Sequence, residues 1–355
     1  MADAEGLFVG TQDVREAHRF DEERLAEWME GNVEGYKGPL TVEQFKGGQS
    51  NPTYKLITPG KNYVLRRKPP GKLLKSAHAV DREYRVITAL HAQGFPAAKT
   101  YGLCTDDEVI GTWFYIMDCV EGRIFWDTTF PEIPREDRYA YMDAMNATLA
   151  QLHNYDPDAI GLGDFGKKED YLARQISRWG GQYQQDEDAG HIEEMDALCE
   201  WLPRTMPKEG PARVVHGDYR CDNMIFHPTE PRVLAVLDWE LSTLGDPVAD
   251  FTYHMMMYRM PPAERASLAN IDFDEWNLPT EEEYVRAYVE RTGLKEIPNI
   301  NWYIAFNMFR IAGIIHGIKG RVIRGTASNK HAAESAQRFE PLAKLAWEQA
   351  KKAGA

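Results

Sequence analysis

The chain has 355 residues, 43% of them hydrophobic, which excludes both a disordered chain and a small scaffold held together by disulfides. At about 150 residues per domain, this length predicts two domains or lobes. The 41 basic and 55 acidic side chains give a net charge of −14, which argues against a general nucleic-acid binder or a binder of anionic membranes.

Three further features of the sequence bear on its compartment. No apolar run approaches the roughly 20 residues that cross a bilayer. The amino terminus lacks the basic and apolar segments of a signal peptide, and the four cysteines show no C-x-x-C spacing. We therefore expect a cytoplasmic protein with no membrane partner and no nucleic-acid partner.

The predicted elements separate a β-rich first part from a helix-rich second part. The first part contains helices at 20–29 and 77–92 and strands at 41–46, 53–58, 62–67, 99–104 and 112–118. The second part contains helices at 135–153, 171–183, 192–202, 281–291, 302–324 and 332–352, with a β-rich island at 213–238. This pattern predicts a small N-lobe at 1–118, a hinge at 119–122 and a larger C-lobe at 123–355.

The most informative segment is H-G-D-Y-R-C-D-N at 216–223. Asp218 precedes Asn223 by five positions, which is the spacing of kinase catalytic loops, where the aspartate accepts a hydroxyl proton and the asparagine holds a metal ion. Asp238 follows the next apolar run, and a turn at 228–231 would fold the two runs into a hairpin. Asn223 and Asp238 would then lie at one end of it, as oxygen ligands for Mg²⁺. Each piece alone is commonly a turn or a cap, but the joint pattern favours phosphoryl transfer.

These motifs, followed by G-D-P at 245–247 and Asp250, resemble the aminoglycoside phosphotransferase and choline kinase superfamily. The segments G-G-Q-S-N-P-T-Y at 47–54 and Y-V-L-R-R-K-P-P-G at 63–71 resemble one subgroup more closely. It is the kinase-like domain found free in bacteria and fused in animals to acyl-CoA dehydrogenases of the family member 10 and 11 type. The resemblance covers residues 41–324. It implies an α+β, bilobal protein-kinase-like fold with a small antiparallel β-sheet N-lobe and a larger, mainly α-helical C-lobe.

The resemblance also implies a set of site residues. Asp218 is the expected catalytic base, Asn223 and Asp238 are the expected Mg²⁺ ligands, and Glu240 is expected beside the metal. The expected nucleotide is ATP or GTP, with its base against the hinge backbone at Met117 and Val120. The phosphates are expected under a loop that presents Gly47, Gly48, Ser50 and Asn51.

One position departs from the usual kinase pattern. Kinases place a lysine on the third strand, paired with a glutamate on the next helix, to hold the phosphates. Here Arg66 takes that position, with Glu83 as its expected partner and Lys68, on the same face of the strand, as an alternative. Arginine keeps the charge and offers a bidentate fork. The alternative interpretation is a surface ion pair of little energetic value.

The acceptor is expected to be a small molecule with a hydroxyl group, and two segments bear on its charge. Acidic side chains at 186–188 and 193–200 are either a subsite for a polycation such as an aminoglycoside or a solvated helix face. The helix at 302–324 places Arg310, Arg321 and small residues near one stripe. This stripe indicates either an anionic acceptor, such as a carboxylate or acyl-CoA, or close helix packing. The fusion to acyl-CoA dehydrogenases in the resembling subgroup favours a hydroxyacyl-CoA by analogy.

Five aromatic residues either line an acceptor pocket or pack in the core: Trp126, Trp179, Tyr183, Trp201 and Tyr253. A protein kinase is disfavoured, because G-D-P follows Asp238 after only seven residues and leaves no room for an activation segment. A nucleotide-binding pseudokinase is supported by Arg66 and opposed by the complete set of Asp218, Asn223 and Asp238. The sequence assigns no oligomeric state.

Overall fold

The computed structural model describes residues 10–46, 51–69, 79–261, 267–327 and 331–355. Within these ranges the strands are β1 (Thr11–Gln12), β2 (Thr41–Phe45), β3 (Thr53–Ile57), β4 (Tyr63–Arg67), β5 (Thr100–Cys104), β6 (Phe114–Asp118), β7 (Arg213–Val215), β8 (Met224–Phe226), β9 (Val233–Val236) and β10 (Thr243–Gly245). The α-helices there are α1 (Glu22–Asn32), α2 (Val80–His91), α3 (Asp107–Ile110), α4 (Arg138–Asn154), α5 (Tyr171–Gln185), α6 (Glu193–Thr205), α7 (Pro247–Met255), α8 (Phe273–Trp276), α9 (Glu281–Thr292), α10 (Ile300–Ile323), α11 (Ala332–Ala336) and α12 (Phe339–Lys352).

The chain forms two compact units that do not follow one boundary in the sequence. The first unit comprises Met1–Trp126, Ile160–Leu162 and Cys221–Ser242, and the second comprises Asp127–Ala159, Gly163–Arg220 and Thr243–Ala355. The N-lobe at 1–118, the hinge at 119–122 and the C-lobe at 123–355 stay predictions from the sequence. Within the first unit, the backbone of Arg123, next to the predicted hinge, exchanges hydrogen bonds of 2.9 and 2.8 Å with that of Phe226.

The first unit is built on an antiparallel sheet with the strand order β1-β2-β3-β4-β6-β5. Strand β3 alternates buried and partly exposed side chains, so that Tyr54 and Leu56 face the core, as a half-buried strand requires. The predicted strands at 41–46, 53–58 and 62–67 correspond to β2, β3 and β4. Helix α2 presents Val86, Ile87 and Leu90 as its buried face.

The predicted hairpin is present as β8 and β9, which pair antiparallel. The amide of Leu237 donates to the carbonyl of Asn223 at 2.8 Å, so the backbone pairing extends to the residue just before β8. Gly122 in the hinge lies against this hairpin, because a Cβ there would stand 2.2 Å from the carbonyl oxygen of Phe226. Glycine is needed at this position for close backbone approach rather than for a bend.

The core of the second unit surrounds α10, whose buried side chains include Trp302, Phe306 and Phe309. Its small residues pack against α5: a Cβ on Gly313 would lie 3.0 Å from the Trp179 Cβ. A Cβ on Gly317 would lie 2.1 Å from the Gln182 Nε2. The small residues therefore serve close helix packing and leave no open stripe. No helix in the described ranges has the length and the apolar composition that a membrane crossing needs.

Helix α7 was not predicted from the sequence. The Asp246 side chain accepts hydrogen bonds from the amides of Val248 and Ala249, and Pro247 takes the first helical position. An aspartate cap followed by proline is a recognisable start signal for a helix. This helix carries side chains that reach the catalytic loop.

One of these side chains, His254, is buried and holds the loop backbone. Its Nδ1 lies 3.1 Å from the carbonyl oxygen of Tyr219, and its Nε2 lies 2.8 Å from the Tyr284 hydroxyl. A carbonyl only accepts, so Nδ1 carries the proton and Nε2 accepts from the tyrosine. Burial lowers the pKa of His254 to about 4, so the ring is neutral at physiological pH.

This burial predicts a loss of stability in acid. The unfolded chain protonates His254 near pH 6.5 and the folded chain near pH 4, so the free energy of unfolding should fall as the pH drops through this window. The difference amounts to about 3 kcal/mol by pH 4. In urea unfolding at pH 4.5 and 7, His254→Asn should show a smaller pH difference than the wild type. An equal pH difference in both proteins would contradict the assignment. The exposed His331→Asn serves as the control that leaves the difference unchanged.

Candidate active site

Arg66 on β4 and Glu83 on α2 form a buried ion pair. The Arg66 Nε lies 2.7 Å from the Glu83 Oε2, and the two side chains are 12% and 3% exposed. Burial raises the pKa of Glu83 above its ordinary value, and the Arg66 charge opposes this shift. The low exposure excludes the surface-pair alternative. A buried pair is stable only if both charges keep their partners.

Glu83 is held by two more donors. The Asn51 side-chain amide donates to its Oε1 at 2.7 Å, and the Tyr115 hydroxyl donates to its Oε2 at 3.2 Å. Asn51 was expected to face the phosphates, but it is fully buried and its amide instead supports the carboxylate of Glu83. The physical reason is that a buried carboxylate needs several hydrogen-bond donors. The other expected phosphate-loop residues, Gly47, Gly48 and Ser50, lie outside the described residues.

The far end of the Arg66 guanidinium reaches the metal-ligand candidates. Its Nη2 lies 3.0 Å from the Asp238 Oδ1 and 3.7 Å from the Glu240 Oε2. Burial alone would lower the pKa of Arg66, but Glu83 and the other nearby carboxylates outweigh burial and raise it, so the guanidinium stays charged. Three carboxylates thus surround one cation. This excess of negative charge is suited to a further cation.

Asn223 and Asp238 occupy the two sides of one hairpin end. Asn223 closes a short 3₁₀ turn before β8, and Asp238 follows the end of β9 with φ of 61°. A left-handed aspartate is uncommon and such residues cluster at functional sites. Trp239, next along the chain, is buried, and its Nε1 donates to the carbonyl of Val236 at 2.9 Å. The buried indole thereby fixes the turn that carries Asp238.

The donor chemistry at this end fits magnesium. Amide and carboxylate oxygens are the hard ligands that Mg²⁺ prefers, and it is bound through one or two carboxylates together with substrate phosphates. Within the described ranges, no group of three or more His, Cys, Asp or Glu side chains is arranged to hold a metal ion. Lys68, the alternative to Arg66, instead lies 3.8 Å from Asp81 and 3.8 Å from the Trp113 ring centre.

The expected nucleotide-base segment follows directly from the sheet. Met117 lies near the end of β6 and pairs with Val64 on β4 and Thr100 on β5. Val120 lies beyond the strand and is half-buried, in the segment that leads to Gly122. Met117 therefore belongs to β6 and Val120 to the predicted hinge, both in the same unit as Arg66. Their proposed contact with a base stays a prediction.

Asp218 belongs to the second unit, in a loop that Asp250 holds by its backbone. The amides of His216 and Gly217 donate to the two carboxylate oxygens of Asp250 at 2.7 and 2.8 Å, and His153 adds a contact of 3.2 Å. Burial would raise the pKa of Asp250, but these hydrogen bonds and the nearby histidines lower it below its ordinary value. A charged Asp250 thus fixes the residues just before Asp218.

The Asp218 side chain has two neighbours that the sequence analysis did not assign to it. The Tyr253 hydroxyl donates to its Oδ1, and the Arg220 Nε lies 3.2 Å from the same oxygen. From the sequence, Tyr253 was expected either to line an acceptor pocket or to pack in the core. Its position three residues after Asp250 on α7, the same face of a helix, is the signal that could have linked it to the loop.

The acidic side chains at 186–188, one of the two segments considered as a polycation subsite, are paired with an arginine of the second unit. The Arg324 guanidinium lies 2.6 Å from Asp186 and 3.3 Å from Asp188. These side chains line a cavity of about 730 Å³ with Arg178 and Gln182. The arginines balance much of the acidic charge. This arrangement weakens the case for an aminoglycoside subsite at these residues.

Comparison with known sequences agrees with these motifs. A family profile described as "Phosphotransferase enzyme family" matches residues 41–288. Acyl-CoA dehydrogenase family member 10 of Mus musculus is 41% identical over 97% of this chain and 32% of its own length. Acyl-CoA dehydrogenase family member 11 of Gallus gallus is 42% identical over 97% of this chain and 45% of its own length. The chain thus spans less than half of these two relatives, and the subgroup expected from its motifs is confirmed.

Solved structures agree as well. A Ralstonia eutropha JMP134 protein assigned to the aminoglycoside phosphotransferases has 50% identity and a TM-score of 0.88, covering 94% of this chain and 99% of that one. A spectinomycin phosphotransferase solved with ADP and spectinomycin has a TM-score of 0.58 at 13% identity, covering 93% and 99%, and shares the fold. The α+β, bilobal kinase-like fold expected from the sequence is confirmed. The profile match and the sequence identity together show that this chain belongs to the phosphotransferase enzyme family.

Proposed function

We propose that this protein transfers the γ-phosphoryl group of ATP or GTP to the hydroxyl of a small molecule in a Mg²⁺-dependent reaction. The observation that carries the proposal is the Arg66 cluster. One buried guanidinium contacts Glu83 at one end and Asp238 at the other, beside the hairpin end that carries Asn223. A phosphate anchor next to two metal-ligand candidates is the arrangement that phosphoryl transfer needs.

The roles of the residues follow from their chemistry. Asp218 accepts the hydroxyl proton while the acceptor oxygen bonds to the γ-phosphorus, and the bond to the bridging oxygen breaks to release the nucleoside diphosphate. Arg66 would exchange Asp238 for phosphate oxygens, and Asn223 and Asp238 would hold Mg²⁺. When bound, Mg²⁺ supplies positive charge that offsets the charge developing on the phosphates.

For the acceptor, we propose an anionic hydroxylated metabolite such as a hydroxyacyl-CoA. Two observations support this class. Arg220 places a guanidinium beside the Asp218 carboxylate, where a polycation would be repelled. Two relatives that the chain matches are named acyl-CoA dehydrogenase family members, and this name indicates acyl-CoA compounds as their substrates.

A second candidate is a kinase-like protein that binds nucleotide as a switch without efficient turnover. The observation in its favour is that the Arg66 guanidinium contacts the metal-ligand candidate Asp238 at 3.0 Å. Nucleotide binding must break this contact, so part of the binding energy would be spent on rearrangement. Measuring turnover beside binding separates the two functions.

Asp238→Ala should abolish Mg²⁺-dependent ATP binding, because it removes a metal ligand and a partner of Arg66. Isothermal titration calorimetry with and without Mg²⁺ measures this, with the wild type expected to bind only when Mg²⁺ is present. Asp107→Ala, an exposed aspartate in the first unit, is the matched control and should bind as the wild type does. Retained Mg²⁺-dependent binding in Asp238→Ala would contradict the metal assignment.

Arg66→Ala should destabilise the fold by about 3 kcal/mol, because it leaves Glu83 buried without its cation. Arg66→Lys should lose less, since it keeps the charge, although an ammonium lacks the planar fork that reaches both carboxylates. Urea unfolding gives the values. Lys61→Ala, which breaks the half-exposed pair with Asp118, should cost under about 1 kcal/mol. Equal losses in Arg66→Ala and Lys61→Ala would show that burial adds nothing to the pair.

A further inference from the structure

We propose that Tyr253 is a positioning residue for the carboxylate of Asp218, and that Arg310 holds Tyr253 and the loop in place. This inference rests on the proposed phosphotransferase function. The Tyr253 hydroxyl donates to the Oδ1 of Asp218, the oxygen that Arg220 also contacts. Fixing one carboxylate oxygen sets the plane of the whole group. The base then meets the acceptor hydroxyl in one orientation, which is where much of the rate advantage of a bound reaction arises.

Tyr253 is suited to act only as a donor. Burial and the neighbouring Asp218 charge hold the pKa of its phenol well above the ordinary value, so it keeps its proton throughout the physiological range. A neutral hydroxyl beside a carboxylate forms a charge-assisted hydrogen bond, which is stronger than a bond between neutral groups. The contact therefore orients the carboxylate without competing for the acceptor proton.

Arg310 on α10 holds both the loop and the tyrosine. Its Nη2 donates to the carbonyl oxygen of Gly217, the residue before Asp218, at 2.8 Å. Its guanidinium carbon lies 5.0 Å from the centre of the Tyr253 ring, within range of a cation–π contact. Arg310 is 9% exposed, and its other hydrogen bond goes to the Tyr171 hydroxyl at 3.4 Å. From the sequence, the stripe that holds Arg310 indicated either an anionic acceptor or close helix packing, whereas these contacts direct Arg310 at the catalytic loop.

Helix α7 thus fixes the loop twice from one face. Asp250 binds the loop backbone at His216 and Gly217, and Tyr253, three residues later, binds the Asp218 side chain. Residues three apart on a helix are neighbours, so the spacing delivers both contacts together. Backbone and side chain of the loop are therefore held by one rigid element, as a preorganised catalytic group requires.

The test uses the full chain and Mg·ATP, with water as the phosphoryl acceptor, and follows ADP release. Tyr253→Phe keeps the ring over Arg310 and removes only the hydroxyl. We expect its kcat to fall at least tenfold while the KM for Mg·ATP and the calorimetric Kd change less than twofold. Asp218→Asn in the same assay defines the turnover that depends on the base.

Tyr183→Phe is the matched control, because Tyr183 packs in the core of the second unit rather than in a pocket, and its buried hydroxyl donates to another aspartate, Asp196, at 2.9 Å. It should lower the melting temperature about as much as Tyr253→Phe and leave kcat unchanged. Arg310→Lys should lower kcat at constant KM. The double variant Tyr253→Phe/Arg310→Lys should fall less than the two single losses combined, because the residues act through one carboxylate.

Three results would overturn the inference in distinguishable ways. If Tyr253→Phe turns over Mg·ATP at the wild-type rate while Asp218→Asn is impaired, Tyr253 has no positioning role and the proposed function stands. If the wild type shows no turnover above Asp218→Asn, the proposed function and the positioning role fall together. An equal loss of kcat in Tyr253→Phe and Tyr183→Phe would show that the lost turnover comes from general destabilisation of the fold and not from the Asp218 contact.

Discussion

The first unit depends on the ion pairs of Arg66, because a guanidinium buried beside a sheet needs carboxylate partners. Glu83 meets it on one side, and Asp238 with Glu240 on the other. Because the charge is out of water, Glu83 is held in turn by hydrogen bonds from Asn51 and Tyr115. The same constraint that stabilises strand and helix therefore places an excess of carboxylates where a metal and phosphates are proposed to bind. The ion pairs of Arg66 therefore serve both the packing of the first unit and the proposed metal and phosphate site.

The second unit supports the proposed catalytic loop, which lies outside helices and strands. The loop has no strand partner for its backbone, and buried side chains bond to it instead. Asp250 accepts hydrogen bonds from the loop amides, and His254 donates one to the Tyr219 carbonyl. Both side chains come from α7, and Tyr253 on the same helix takes the Asp218 carboxylate. Loops carry reactive groups well only when a rigid element determines their geometry.

The sequence predicted the parts of this arrangement that depend on local pattern. Alternating strands and the turn after Phe226 were sufficient to place Asn223 and Asp238 at one hairpin end. The Arg66–Glu83 pair followed from the resemblance. Side-chain partners distant in sequence were not predictable in this way. The amide of Asn51 binds a residue 32 positions away, and Tyr253 reaches one 35 positions away. Such pairs depend on how a helix is rotated in the packed core, which periodicity leaves undetermined.

The most direct test of the central claim is a crystal structure of the protein with Mg²⁺ and a non-hydrolysable ATP analogue. We expect a metal ion held by Asn223 and Asp238, with Arg66 still paired to Glu83 but turned from Asp238 to a phosphate oxygen. A nucleotide bound with Arg66 still on Asp238, and with no metal at the end of the hairpin, would contradict the proposed roles of these residues.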